Sequence, residues 1–237
     1  MTVSRSRLPI ALSFLLALAS CQRHSESSGS ESGVRVSPSS TESPLSQDAA
    51  PQLRALLAGA IEQTKITTGY DPAYVSLAYP GGDVPQETGV CSDVIVRAFR
   101  KAGIDLQKEV HEDMTAAMSA YPQRWGNARP DSNIDHRRVL NLMTFLQRRG
   151  KALPMTMIRD DYLPGDIVAW DLGGGVPHIG IVSNLATESP KHFLIIHNIG
   201  AGARAEDVLF NWEITGSLSL FLKTSQLKTL AGLSPSC

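Results

Sequence analysis

The hydrophobic pattern of this chain changes period once, at Pro154, and that change restricts the fold more than any other feature. Before it, apolar residues recur at helical spacing; after it, they come in short runs broken by glycine and proline turns. Residues 51–67 read as a helix with Leu53, Leu56, Leu57 and Ile61 on one face. Residues 70–86 are rich in Tyr, Pro and Gly and read as loop, with a short strand at 75–79. A second helix follows Cys91, with Ile95, Ala98, Phe99 and Ala102 as its apolar stripe and Gly103 as its stop. Two more helices are expected, one around 112–120 and one from Asp135 or His136 to Arg149, closed by Gly150. The strands then follow: 166–170 after Pro164-Gly165, 178–182 after the Gly173-Gly174-Gly175 turn, and 192–197 after a turn around 187–190. Helices first and an antiparallel run of strands second predict one α+β domain over residues 51–224, its N-terminal helices packed on a small antiparallel sheet. Residues 225–237 are left as a C-terminal tail.

The N-terminus speaks to location. Residues 1–20 begin with Arg5 and Arg7 and continue in an apolar run from Leu8 to Ala19, too short to span a bilayer with margin and laid out as a secretory signal. The run ends Leu18-Ala19-Ser20-Cys21, which resembles a bacterial lipobox. That resemblance implies that Cys21 becomes the lipidated first residue and anchors the chain to a membrane of the bacterial cell envelope. Gln22 in place of an aspartate implies, by the sorting rule of Gram-negative lipoproteins, the periplasmic face of the outer membrane. Ordinary signal cleavage, with Cys21 incidental, is the competing reading. Residues 21–50 read as a tether: ten of the 29 residues after Cys21 are serine, and almost none is a large apolar side chain. As a flexible coil it reaches on the order of 30 Å from the anchor.

Removing residues 1–20 takes away Arg5 and Arg7 and moves the formal charge from −1 to −3. A chain of that balance lacks the concentrated basic surface of nucleic-acid binders, so no nucleic-acid partner is expected. His111 and His136 invite a metal reading, yet no short His/Cys/carboxylate spacing supports zinc, and neither metal nor other cofactor is expected. Lipidation of Cys21 leaves Cys91 and Cys237, which an oxidising compartment could join in a disulfide. A free Cys91 has a different prospect. It opens an amphipathic helix, where the peptide dipole favours thiolate over thiol, and His178 and His197 flank apolar strand-like runs downstream. A thiol with an imidazole to take its proton is the minimum of a cysteine hydrolase.

Several longer motifs carry a resemblance. Residues 89–100 (Gly-Val-Cys-Ser-Asp-Val onward), Asp105-Leu106-Gln107, His111-Glu112-Asp113-Met114, Asn133-Ile134-Asp135-His136-Arg137-Arg138, His178-Ile179-Gly180-Ile181-Val182 and His197-Asn198-Ile199-Gly200 resemble a bacterial domain-of-unknown-function family, number twelve-eighty-seven. That family is grouped with the NlpC-like papain-fold cysteine peptidases and amidases, and the likeness covers residues 70–216. It implies a papain-like, NlpC-type fold and an amide-cleaving hydrolase acting on peptidoglycan stem peptides or a related peptide. The better-known cell-wall peptidases carry Asp-Cys-Ser-Gly at the nucleophile, whereas this chain has Val90-Cys91-Ser92-Asp93, so their substrate preference does not transfer.

Mapped residue by residue, the resemblance makes Cys91 the nucleophile, His178 the general base and then acid, and His197 the third residue that orients His178. Asp93 and Asp166 are the other candidates for that orienting role. Asp93, Arg137, Arg138 and Tyr79 are the candidate substrate contacts, with Tyr70 or Tyr79 as a donor near the oxyanion. Each has a plainer reading. A free cysteine is often just a small buried group, a histidine can be satisfied by a carbonyl, and Asp135 can be a helix cap beside surface ion pairs. Two other functions therefore stand beside the amidase: an inactive papain-fold module that binds cell wall or a partner protein, and an enzyme acting on a lipid ester or thioester.

Overall fold

Of the 237 residues, the computed structural model describes 40–42, 50–124, 126, 129–149, 152–188 and 191–220. The expected signal at 1–20, Cys21, most of the tether, the Gly150 stop, the tail from 225 and Cys237 lie outside the described residues.

Helix α1 (Pro51–Ile66) starts with proline in its first turn, where a missing N–H costs nothing, and buries Leu53, Leu56, Leu57 and Ala60. Helix α2 (Cys91–Lys101) ends where expected, just before Gly103 at φ +83°. Helix α3 (Leu106–Ala117) begins six residues ahead of the expected start at 112, because the Asp105 carboxylate accepts the Gln107 N–H and caps it. The helix expected from Asp135 to Arg149 is split. Asp135–Arg137 makes one 3-10 turn, Arg138 is extended (φ −98°, ψ 117°), and only then does α4 (Val139–Arg148) begin. Tertiary partners impose that break: the Arg137 carbonyl accepts the Ser92 hydroxyl at 2.6 Å, and its guanidinium reaches Asp93.

The short strand expected at 75–79 is not present. Its backbone groups are taken instead by side chains, the Leu77 N–H by Asn133 Oδ1 and the Ala78 carbonyl by Gln107 Nε2.

The strands are β1 (Thr41–Glu42), β2 (Ile167–Asp171), β3 (Pro177–Ala186), β4 (Phe193–His197), β5 (Arg204–Glu206) and β6 (Glu213–Leu218). All pairs are antiparallel, in the order β5-β4-β3-β2-β6, with β1 beside the far end of β3. Strands β1, β5 and β6 add to the three read from sequence. β1 falls inside the segment read as tether, where Asn184 Nδ2 donates to Glu42 Oε1 at 2.9 Å.

The sheet separates two cores. Ile179, Ile181 and Ile196 face the helices with Leu56, Val94, Phe99, Leu142 and Leu146. Val168, Trp170, Val182 and Ile195 fill the other face with Tyr162 and Leu209. Each fully buried side chain of this size contributes about 1.5–3 kcal/mol. The alternation along β3 sends odd positions to the helices and even ones, His178 among them, to the opposite face. The molecule is therefore α+β, helices on one face of an antiparallel sheet. Among the described residues no helix is long and apolar enough to cross a membrane.

Candidate active site

Three adjacent strands deliver a row of polar side chains. His178 is the second residue of β3, His197 closes β4 and Glu206 closes β5. His178 Nε2 lies 2.8 Å from His197 Nδ1, and His197 Nε2 lies 2.9 Å from Glu206 Oε2. Glycine at 180 permits the approach: a β-carbon there would sit 2.7 Å from Ile195 Cγ2 and 3.2 Å from His197 Cβ. Indole rings wall the pair in, Trp170 at 5.8 Å and Trp212 at 5.9 Å from the His178 ring. Burial, with the neighbouring His197 adding to it, pushes the His178 pKa down to about 3, so its imidazole is neutral at physiological pH.

Cys91 is the first residue of α2, and its thiol is free and 6% exposed. The backbone N–H groups of Ile179, the residue after His178, of Ser92 and of Cys91 itself lie close enough to its sulfur to favour the thiolate. The thiol and the imidazole thus spring from neighbouring points where α2 meets β3. Burial pushes the thiol pKa up to about 11, opposed by the Ile179 bond and reinforced by the Asp93 carboxylate. At this helix start burial outweighs the dipole's preference for thiolate, and the resting pair is thiol and neutral imidazole.

Asp93 and Arg137, expected to touch substrate, are engaged with each other. Arg137 Nε and Nη2 donate to the two Asp93 oxygens at 2.9 and 3.0 Å, and both side chains are buried. Asp93 Oδ2 also accepts the Val90 N–H at 2.7 Å, and Arg137 spends further donors on the Ala73 and Asp71 carbonyls. Together they lock the start of α2 to the chain on either side of it. Beside Cys91 lies a cleft of about 220 Å³ lined by Tyr70, Val90, Arg138, Val139 and Pro177 among others, with Arg137 in its wall. Burial raises the Tyr70 pKa, helped by the nearby Cys91 and Asp93. Tyr79 does not line this cleft; it stands half-exposed and edge-on to His111 at 5.3 Å. Asp166 is buried at the foot of β2, where it accepts the Leu163 N–H, and the ring partner of His178 is His197.

Sequence reasoning missed Glu206, Trp212 and Asn198. The Asn198 amide donates to the Gly69 and Gly89 carbonyls, tying the loop that carries Tyr70 to the approach of Cys91. Asn198 stood in a quoted motif and was open to notice, whereas nothing in spacing marks Glu206 or Trp212. A larger cavity of about 300 Å³ lies between α1 and α2, lined by Gln63, Arg97 and Arg100, and includes none of the three candidate catalytic residues. Among the described residues no group of three His, Cys, Asp or Glu side chains is placed to hold a metal ion.

Residues 57–219 match the family described as Domain of unknown function (DUF1287). The chain belongs to the DUF1287 family. It is 55% identical over 170 residues to the uncharacterized protein YijF of Escherichia coli (strain K12), a match covering 71% of this chain and 82% of that one. Among solved structures, this DUF1287 protein is similar, at 14% identity and a TM-score of 0.35, to one described as similar to lipoprotein, NLP/P60 family, from Staphylococcus aureus subsp. aureus Mu50. That match covers 79% of this chain and 46% of the other. Within DUF1287, the cysteine, the two histidines and the Asp93–Arg137 frame all fall in the matched stretch.

Proposed function

We propose that this DUF1287 protein is a cysteine hydrolase of the bacterial cell envelope that cleaves an amide bond in peptidoglycan stem peptides or their cross-links. One observation carries the reading: a free thiol at a helix N-terminus, close to the N–H of the residue after His178, whose ring is bonded in turn to His197. The thiol proton passes to His178 Nδ1 as sulfur bonds to the substrate carbonyl. The N–H groups of Cys91 and Ser92, turned toward the sulfur, stabilise the oxyanion that forms. The C–N bond then breaks and the proton leaves with the amine. Water, deprotonated by the same ring, hydrolyses the thioester and regenerates the thiol. His197 orients His178. Arg138 and Tyr70, on the cleft wall, are the side chains offered to substrate. Lipidation at Cys21, with a tether behind it, would keep the domain at the membrane within reach of the wall.

The test offers purified cell wall and acyl lipids side by side to the full-length protein and to Cys91→Ala and His178→Ala, with products read by mass spectrometry. Amide cleavage that vanishes in both variants supports the proposal. Full activity in either variant overturns it. Cleavage of the lipids alone would reassign the enzyme to acyl esters. Retention on cell wall with an unchanged muropeptide profile would make it a binding module.

A further inference from the structure

We infer that Glu206 is a positioning residue that sets the tautomers of both histidines and thereby leaves Nδ1, the His178 nitrogen not bonded to His197, without a proton. The inference rests on the proposed Cys91–His178 chemistry but stands on separate geometry. An ionised carboxylate only accepts hydrogen bonds. With Glu206 Oε2 at 2.9 Å, a His197 that holds one proton therefore carries it on Nε2 and leaves Nδ1 bare. A bare Nδ1 accepts, so the 2.8 Å contact is a donation from His178 Nε2. The remaining nitrogen of neutral His178, Nδ1, is then unprotonated, as a base for the thiol must be. The imidazole pair alone imposes no such order. Run in the opposite direction, the same contact has His197 Nδ1 donating to His178 Nε2, which places the His178 proton on Nδ1, where no thiol proton can be taken up.

The fold supports this direction. Glu206 is paired across from Ile195, so it rises on the same sheet face as His197, two positions along β4. Its side chain is 15% exposed and that of His197 fully covered, so water competes little for the bond. The carboxylate has a second effect. When His178 becomes imidazolium during the reaction, its closest ring is another base with no charge to offer, and Glu206 supplies the compensating negative charge one ring away.

The experiment uses ¹⁵N-labelled full-length protein, comparing wild type with Glu206→Gln and Glu206→Asp by long-range ¹H–¹⁵N correlation of the histidine rings. Iodoacetamide labelling of Cys91 is followed in parallel, by peptide-resolved mass spectrometry at one pH. Glutamine keeps the shape but can donate to His197 Nε2, which reverses the chain; aspartate keeps the acceptor. The expected result is Nε2–H on both His178 and His197 in wild type, and Nδ1–H on at least one in Glu206→Gln. Labelling in that variant should slow by about 10–100-fold, the range by which metal-bound histidines suffer when their orienting partner is lost. Glu206→Asp should restore the tautomers in part and the labelling with them. Nδ1–H on His197 in wild type, tautomers unchanged in the glutamine variant, or labelling unaffected by a reversed chain would each overturn the inference. Loss of the proposed hydrolase function would leave the ring measurement standing, because it needs no substrate.

Discussion

At Cys91 two effects of opposite sign meet. A helix N-terminus stabilises an anion by about 0.3–1 kcal/mol at an exposed site, whereas a rise from the ordinary thiol value of 9.0 to about 11 corresponds to roughly 3 kcal/mol against the thiolate. Burial wins in the free protein, and in the proposed reaction the thiolate is made only as His178 accepts the proton. Labelling of resting Cys91 by iodoacetamide should therefore be slow at pH 7 and keep rising with pH beyond 9. A plateau reached below pH 8 would show a preformed thiolate instead. His178→Ala should lower the neutral-pH rate while leaving the rate above pH 11 nearly unchanged, since hydroxide then replaces the imidazole as base.

Elements, more than single residues, hold the thiol in place. The start of α2 is set by the Asp93–Arg137 pair, buried and bonded at both oxygens. Removing one partner leaves an uncompensated buried charge, at a cost of about 3–5 kcal/mol. Arg137→Met should lower the melting temperature by about 10 °C, and the double variant Asp93→Leu/Arg137→Met should recover part of that loss; a double variant as unstable as the single would refute the pairing argument. The β3–β4 contact makes a matching demand. In Gly180→Ala the added carbon meets Ile195 and His197, costing about 1–3 kcal/mol. Because the strain falls on His197, the proposed hydrolysis should drop at temperatures where the variant is still fully folded by circular dichroism.

At the scale of the whole molecule, two histidines buried as neutral groups make stability depend on acid. Burial lowers His178 to about 3 and His136 to about 4, both below the ordinary 6.5. Well above pH 6.5 both are neutral whether folded or not and contribute nothing to the pH dependence. As pH falls from there, the unfolded chain takes up two protons that the native state refuses, so stability declines by about 3 kcal/mol per pH unit from the pair. Urea unfolding between pH 6 and pH 4.5 should show that slope, and His136→Gln should reduce it by about half. A slope unchanged in that variant would mean that His136 is not held neutral.

Element types were legible in the sequence wherever a local pattern was strong. The apolar stripes of α1, α2 and α4 and the short apolar runs of β2, β3 and β4 all stand within a few residues of their expected bounds. So did the α+β class, because periodicity is a property of neighbours along the chain. Cys91, His178 and His197 could be singled out for the same reason: each lies at the end of such a pattern. What only the tertiary structure decided depends on partners far away in sequence. Ser92 and Asp93 break the helix at Arg138 through bonds to Arg137, 45 and 44 positions away, and the backbone at 77–78 bonds to side chains rather than to a strand. Glu206, nine residues past His197, joins the histidines through a three-residue strand too short to leave a pattern. The charge state of the site belongs to the same class. A thiol at a helix start can be read from the order of residues, but whether it is ionised depends on the burial that the assembled sheet and helices impose.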